Sequence, residues 1–277
     1  MSDQADILVP PSTIPANMPP SQVGAASAEA SAPLPGPHRG DYYISVLKRL
    51  SQTRAVKRYL EVGVCTGESF AQIVAERAVG VDPAFRLTHN VATNKTEVRL
   101  FQMSSDAFFA EVDVPAALGG PADFAFLDGM HQFEYLLRDF YNTERVASPR
   151  GLIALHDCLP LAEPMLLRDS QEAVRLSRET PYNGWWTGDV WKVVAILAKY
   201  RPDLRIVCAD APPTGLVFVS NLDPGSDSLR RDYCRIVDEF AAVPNTAEGL
   251  AAFYSGISLV PTARILLGFD HSLYFRA

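Results

Sequence analysis

The chain has 277 residues, of which 48% are hydrophobic and 21% charged, with 25 basic against 32 acidic side chains and a net charge of −7. Such a composition is ordinary for a globular protein and excludes collagen, coiled coil and whole-chain disorder. The acidic balance disfavours a protein whose main work is gripping a nucleic-acid backbone, because that needs a basic surface to displace counterions. Cys65, Cys158, Cys208 and Cys234 are scattered without a CxxC spacing, so neither a disulfide framework nor a zinc knuckle is expected. No apolar run approaches the ~20 residues that span a bilayer. Asp3 and Asp6, with no early Lys or Arg, do not make a secretory leader. The reading is a cytoplasmic protein with neither a membrane nor a nucleic acid as partner.

Residues 1–37 hold eight of the 21 prolines and no aromatic residue. They cannot bury enough apolar area to offset the entropy of ordering, so a disordered or loosely packed tail is expected. The tail carries −3 of the charge, from Asp3, Asp6 and Glu29, which leaves −4 on the rest. Residues 38–277 are expected to form a single domain, with a core over 41–222 and a helical extension over 223–277.

In chain order, 42–53 reads as an amphipathic helix with Tyr43, Val46, Leu47 and Leu50 on one face. A strand follows over 58–64, a helix over 68–77 with Phe70, Ile73 and Val74 inward, and strands over 78–82 and 97–103. The run 122–128 is a nearly pure apolar strand, 133–146 a helix and 151–157 a strand. A helix over 188–200 opens on Asp189 as its cap. The strands 204–210 and 215–221 are too close for a crossover and form an antiparallel hairpin. Strands alternating with helices give a Rossmann-like, doubly wound, mostly parallel α/β sheet of seven strands with a terminal antiparallel strand.

Open sheets of this kind bind ligands beyond the carboxyl ends of their strands. The residues there are Glu61 to Gly67, Asp82, Ser104 to Asp106, Asp128 to His131, and His156-Asp157. A sheet edge lined with carboxylates suits a ligand rich in hydroxyl and ammonium donors better than a polyphosphate. The loop YLEVGVCTGES places Gly63 and Gly67 between strand and helix, which permits a tight turn and a close ligand approach. Its GxxxG spacing, with Cys65 between, is not the GxGxxG of a dinucleotide site. Asp82 stands 21 residues after Glu61 at the end of the next strand, where a carboxylate takes both ribose hydroxyls.

Glu61-Val-Gly63-Val-Cys65-Thr-Gly67 resembles the glycine-rich first motif of class I S-adenosylmethionine-dependent methyltransferases. FLDGMHQFEYLLRDF followed by GLIALHD resembles a bacterial subgroup with a D-G-x-H-x-[YF]-E motif, mostly small-molecule O-methyltransferases. The resemblance covers about residues 41–222. It implies methyl transfer to a small-molecule acceptor at a hydroxyl oxygen. It also implies that Glu61, Gly63 and Gly67, with Val64 and Cys65 in the same loop, hold the methionine portion of the cofactor. By the same resemblance Asp82 holds the ribose, Ser105 and Asp106 lie beside the adenine, and Asp128 lies next to the sulfonium. Cys65 departs from the family's middle glycine. Some of these enzymes hold a divalent cation with carboxylates after the fourth and fifth strands. Asp128 and Asp157 match those positions, but Cys158 stands where the relatives place Asn, and oxygen ligands would suit Mg²⁺.

His131 is the candidate base, three residues after Asp128, with a reference pKa near 6.5 that suits proton transfer around neutrality. His156 is the alternative, as base or as the group that orients Asp157. Tyr182, Trp185 and Trp186, in a long insertion before the 188–200 helix, read as an aromatic wall for the acceptor or as packing against that helix. The 223–277 extension either covers the site or makes a homodimer contact. A non-catalytic cofactor- or partner-binding module and an NAD-dependent oxidoreductase are the rival functions.

Overall fold

The computed structural model describes residue 34, residues 36–266 and residue 275. Most of the expected 1–37 tail lies outside the described residues. Leu34 packs against the core and His38 is buried with its Nε2 on the Leu159 carbonyl at 3.0 Å, so tertiary contacts begin a few residues before Asp41.

The elements are α1 (Tyr43–Thr53), β1 (Arg58–Val62), α2 (Glu68–Gln72), β2 (Arg77–Val81), β3 (Glu97–Phe101), α3 (Ser105–Glu111), α4 (Val114–Leu118), β4 (Ala122–Leu127), α5 (Phe133–Val146) and β5 (Ala147–His156). A 3₁₀ turn (Glu163–Leu166) and α6 (Ser170–Ser177) occupy the insertion. They are followed by α7 (Lys192–Tyr200), β6 (Arg205–Ala209), β7 (Leu216–Ser220), α8 (Ser228–Arg231), α9 (Tyr233–Ala241), α10 (Ala247–Ser255), β8 (Leu259–Val260) and α11 (Thr262–Leu266).

One sheet of eight strands runs β3-β2-β1-β4-β5-β7-β6-β8. The first five strands are parallel, and β7 is antiparallel to both of its neighbours. The doubly wound, mostly parallel sheet is therefore as expected, with two refinements. The antiparallel strand lies between β5 and β6 rather than at the edge. The short β8 adds an eighth strand, parallel to β6, from the apolar run of the C-terminal extension.

Alternation along the strands feeds two cores. Leu60, Val62, Val79, Leu127 and Leu155 face the layer of α3, α4, α5, α7, α9 and α10. Tyr59, Ala78, Phe124, Phe126 and Phe218 face α1, α2 and α11. Helix α1 binds its face through Val46, Leu47 and Leu50, all 0% exposed. Truncating such a residue to Ala typically costs about 2–5 kcal/mol. The side chain of Phe275 returns to this layer and stacks edge-on against Phe218.

Two helices depart from their expected bounds. Helix α2 stops at Gln72 instead of reaching Arg77, because Ile73 is extended (φ −68°, ψ 136°). The Lys95 ammonium takes the carbonyls of Phe70 and Ile73 at 2.6 and 2.9 Å, and Ser51 Oγ accepts from the Val74 N–H, so the groups released from the helix are satisfied. Helix α7 begins at Lys192, and Asp189 does not cap it. Asp189 Oδ1 instead accepts from the Phe133 N–H, capping α5, while Oδ2 takes Arg168 and Lys192.

Candidate functional site

At the end of β1 the chain turns at Gly63, whose φ is +88° and whose added Cβ would stand 2.0 Å from the Asp128 carbonyl oxygen. No other residue fits there, and the close approach brings the β1 and β4 ends together. The Gly63 N–H reaches the Val81 carbonyl and the Asp128 N–H reaches the Val62 carbonyl, each at 2.9 Å. Between these ends opens a cavity of about 630 Å³.

Along one end of the cavity lie Cys65, Asp82, Pro83, Ser104, Ser105 and Asp106. The Asp82 carboxylate is aimed by the backbone: Oδ2 accepts from the Cys65 N–H at 2.8 Å and Oδ1 from the Ala84 N–H at 2.7 Å. Each oxygen keeps a lone pair for a ligand hydroxyl. Asp106 is engaged by the Arg138 guanidinium in a two-pronged pair at 2.7 and 2.8 Å.

The other end gathers Asp128, His131, His156 and Asp157. His131 Nδ1 lies 3.0 Å from the Trp186 carbonyl oxygen, which only accepts, so Nδ1 carries the hydrogen. Its Nε2 then faces Asp157 Oδ2 at 3.1 Å and Asp128 Oδ1 at 3.7 Å. A bare lone pair facing two carboxylates is unfavourable. It is relieved by a proton on Nε2 or by a cation among the three groups. Burial pulls the His131 pKa down, but Asp157 and Asp128 outweigh it and the net direction is upward.

His156 Nδ1 bridges Asp128 Oδ1 at 3.2 Å and Asp157 Oδ2 at 3.4 Å, while its Nε2 is buried without a hydrogen-bond partner among the described residues. Tyr43 of α1 stacks on its ring at 4.2 Å. Burial lowers the His156 pKa, and the two carboxylates raise it well past its ordinary value. For Asp128 and Asp157 burial acts upward, yet the histidines hold both carboxyls below the usual range. Asp157 sits at φ +59° and takes a hydrogen bond from Thr214 at 2.5 Å. Asp128, His131 and Asp157 each present one ligand atom, all within 4.8 Å of one another, an arrangement able to hold a metal ion.

Several residues of the expected site stand elsewhere. Glu61 does not line the cavity. It is 0% exposed on the α1–α2 side of the sheet, where Tyr59 and Ser69 hydrogen-bond its two oxygens. Alternation along β1 turns the Glu61 side chain into the core, away from the cavity where a direct contact with a ligand was expected. Burial, opposed by those hydrogen bonds, pushes its carboxyl up to about 8. Val64 is 2% exposed and packs toward Gly80. Gly67 heads α2 at φ +77°, with Val91 and Leu87 lying over it, away from the cavity lining. Of the expected aromatic wall, Trp186 stacks on His131 at 4.6 Å and anchors its Nε1–H on the Leu167 carbonyl. Tyr182 and Trp185 pair with each other and do not line the cavity. Gly188 (φ +56°) packs so closely on the His131 carbonyl that a Cβ would stand 1.8 Å away. Within NGWWTGD, Trp186 and Gly188 hold His131, while Thr187 bonds the Met165 carbonyl and Trp185 pairs with Tyr182.

Sequence reasoning missed Tyr43 as a neighbour of His156, Thr214 as the partner of Asp157, and Tyr135 in the cavity wall. Met130, inside the Asp128–His131 run, lines the cavity. Thr214 lies 57 positions from Asp157, and nothing local announces the pairing.

Residues 60–158 match a family model described as a methyltransferase domain. The match spans a little over a third of the chain. The match runs from β1 to the end of β5 and includes Asp82, Asp128, His131, His156 and Asp157. None of the curated proteins matches the sequence. Among solved structures the chain is similar to the O-methyltransferase from Bacillus cereus in complex with SAH (15% identity, TM-score 0.43, 67% of this chain and 83% of that one). It is also similar to the O-methyltransferase TomG from Streptomyces achromogenes, involved in tomaymycin synthesis, in complex with SAM (14%, TM-score 0.43, 64% and 78%). A third is the N-methyltransferase NodS from Bradyrhizobium japonicum WM9 (13%, TM-score 0.39, 64% and 91%). Among the described residues no helix is long and apolar enough to cross a membrane.

Proposed function

We propose that this protein transfers the methyl group of S-adenosylmethionine to a hydroxyl oxygen of a small molecule. The observation that carries the reading is the single cavity joining an Asp82 carboxylate, aimed by two backbone N–H groups, to the Asp128–His131–Asp157 cluster. The two packed layers share one sheet, which supports reading residues 38–277 as one domain around this cavity.

When bound, S-adenosylmethionine supplies a methyl carbon activated by a sulfonium. Asp82 would hold the two ribose hydroxyls, and Gly63 and Cys65, which border the cavity, would hold the methionine part. Asp128 and Asp157 provide negative charge beside the reacting end. The acceptor hydroxyl would have to give up its proton, and His131 Nε2 would be the site for it when that nitrogen carries neither proton nor cation, a form that grows with rising pH because the neighbouring carboxylates raise its pKa, with Nδ1–H fixed on Trp186. Holding that nitrogen in place contributes as much as its basicity, since positioning supplies much of the rate in such a transfer. His156 locks the two carboxylates side by side.

The cluster also fits a divalent cation, because His131 Nε2 and two carboxylates converge. A cation held by Asp128, His131 and Asp157 would lower the pKa of an acceptor hydroxyl, and the imidazole nitrogen suits Mn²⁺ or Zn²⁺ as well as Mg²⁺. Cys158 does not join this donor set; its thiol is buried on the His156 carbonyl.

The test is calorimetric titration with S-adenosylmethionine and S-adenosylhomocysteine, followed by mass spectrometry of hydroxylated acceptors with and without EDTA. Binding with a gain of one methyl on the acceptor supports the reading. Absence of binding at millimolar cofactor would sink it. Loss of turnover in EDTA, restored by a divalent cation, would select the cation-assisted form over the His131 base.

A further inference from the structure

At the other edge of the sheet, where β1, β4 and β5 begin, a second cavity of about 250 Å³ opens. Its wall includes Arg54, Lys57 and Arg58 from the end of α1 to the start of β1, Asp123 of β4, and Ser148 and Arg150 of β5. Arg58 and Asp123 stand here, while Gly63 and Asp128, on the same two chain paths, stand at the first cavity. At about 3.3 Å per strand residue the two cavities are roughly 16 Å apart, and they share no lining residue.

Four cations face this pocket against one carboxylate, in a chain whose net charge is −7. The carboxylate is already engaged. Asp123 Oδ1 accepts from the Arg58 guanidinium at 2.9 Å, and Oδ2 accepts from the backbone N–H groups of Lys57 and Arg58 at 3.3 and 3.0 Å. Lys57 lies 3.9 Å from Glu76, in solvent. Among the described residues, Arg54 and Arg150 have no carboxylate at ion-pair distance.

Arg54 is not needed to close α1. The Leu50, Ser51 and Gln52 carbonyls are taken by the backbone N–H groups of Arg54, Val56 and Ala55. Its guanidinium reaches instead to the Arg150 carbonyl at 2.8 Å. A bulge brings that carbonyl there: β5 pairs Ala147 with Ala122 but Leu152 with Phe124, which throws residues 148–151 out opposite Asp123. In the same bulge Ser148 Oγ accepts the Arg150 N–H at 3.3 Å, so its own hydrogen remains to be donated. Burial pulls the Arg54 pKa down, with Asp123 acting against it. A guanidinium partly withdrawn from water without a counter-ion of its own is unfavourable, and a bound anion relieves it.

We propose that this pocket binds a phosphate dianion, free or as the head of a small phosphorylated metabolite, between Arg54 and Arg150 with the Ser148 hydroxyl as a further donor. Planar guanidinium forks match pairs of phosphate oxygens, and Arg is suited to this contact for that reason. The volume lies below the usual range for drug-sized ligands, so the organic part is short. The site is independent of the methyl-transfer reading, because its residues lie outside the first cavity.

The test is calorimetry of the full chain with inorganic phosphate and with glycerol 3-phosphate at pH 8, where a phosphate monoester, with its second pKa of about 6, is dianionic. Parent, Arg54→Gln, Arg150→Gln, Lys57→Gln and Asp82→Ala are compared. The parent should bind at millimolar ligand or below. Each Arg→Gln change should weaken binding by about tenfold or more, the loss of a charge-assisted hydrogen bond. Lys57→Gln should cost no more than about fivefold, as an exposed charge does, and Asp82→Ala should leave phosphate affinity unchanged. Arg150 is exposed and its guanidinium has no partner among the described residues, so Arg150→Gln carries the test if Arg54→Gln does not fold. Tighter binding of glycerol 3-phosphate supports the site with a phosphorylated metabolite as its ligand, and tighter binding of inorganic phosphate supports it with the free ion. No heat with either compound, or equal affinity in parent and Arg150→Gln, overturns the proposal. Binding that disappears at about 0.15 M salt marks an adventitious ion only, held by screened surface charge, and overturns it as well.

Discussion

At the β2–β3 end of the cavity, polar groups have fixed partners: Asp82 on the Cys65 and Ala84 N–H groups, and Asp106 on Arg138. At the β4–β5 end, Asp128, His131, His156 and Asp157 share hydrogen bonds among themselves, and His156 Nε2 has no hydrogen-bond partner among the described residues. The first end is arranged as a rigid receptor, with the directions of its acceptors set by backbone. The second is a charge reservoir, in which removing or adding one proton rearranges several contacts. On the proposed function, binding would belong to the first and chemistry to the second. That division is open to attack by mutation.

The largest effect is expected from His131→Ala. It should lower kcat by on the order of 10²–10⁴-fold, the usual contribution of a positioned acid–base group. Affinity for S-adenosylhomocysteine should change little. Asp82→Ala should do the reverse, weakening the cofactor more than it slows saturated turnover. Steady-state kinetics with parallel calorimetry separates the two. Similar changes in kcat and Kd for both variants would dissolve the distinction between the ends.

Next comes Trp186→Ala, which removes the indole from the His131 ring and keeps the carbonyl but loosens its placement. A misplacement of this kind costs up to about 10²-fold in rate. The effect should appear in kcat, and Trp186→Phe should recover part of it by restoring the stack. If Trp186 instead contacts the acceptor, KM rises and kcat holds.

These two residues also show how far the sequence was legible. The sheet, the carboxyl-end cluster and the DGMH turn were readable because strand alternation and post-strand acids are local signals. His131 stood out by its distance from Asp128. Trp186 stood out as an aromatic between glycines, but its role did not: the contact with His131 spans 55 positions. The burial of Glu61 was not legible, because a motif places a residue in a loop, whereas the pleat of β1 decides which face it meets. Asp189 was read as the cap of its own helix, when it caps α5, brought beside it only by the fold.

A smaller effect, on stability, concerns Glu61. Its folded pKa of about 8 lies above the ordinary value of 4.5. Between those pH values the unfolded chain has released a proton that the folded one retains. The contribution of Glu61 to stability therefore declines as pH rises through this window and levels off above it. Glu61→Gln keeps a buried neutral amide and should flatten this part of the profile. Urea unfolding of parent and variant at pH 5, 7 and 9 reads the difference, which should narrow in the parent's disfavour with rising pH. A constant difference would mean that Glu61 is ionised in its buried setting.

The smallest effect is expected at Cys65, which occupies the glycine loop at φ +46°. A left-handed conformation costs a non-glycine residue roughly 1–2 kcal/mol. Cys65→Gly would relieve that strain but add unfolded-state freedom worth about 0.5–1 kcal/mol. The net gain in stability should then be below about 1.5 kcal/mol by those same terms. Cofactor affinity should barely move, because the contact that matters is the Cys65 N–H on Asp82, which glycine retains. Thermal melts and calorimetry on the same preparation check both halves. A large gain in affinity on Cys65→Gly would mean that the thiol, bordering the cavity, obstructs the ligand. The rigid end of the site would then be only partly shaped for its cofactor, and the contrast with the charged end would weaken from the binding side.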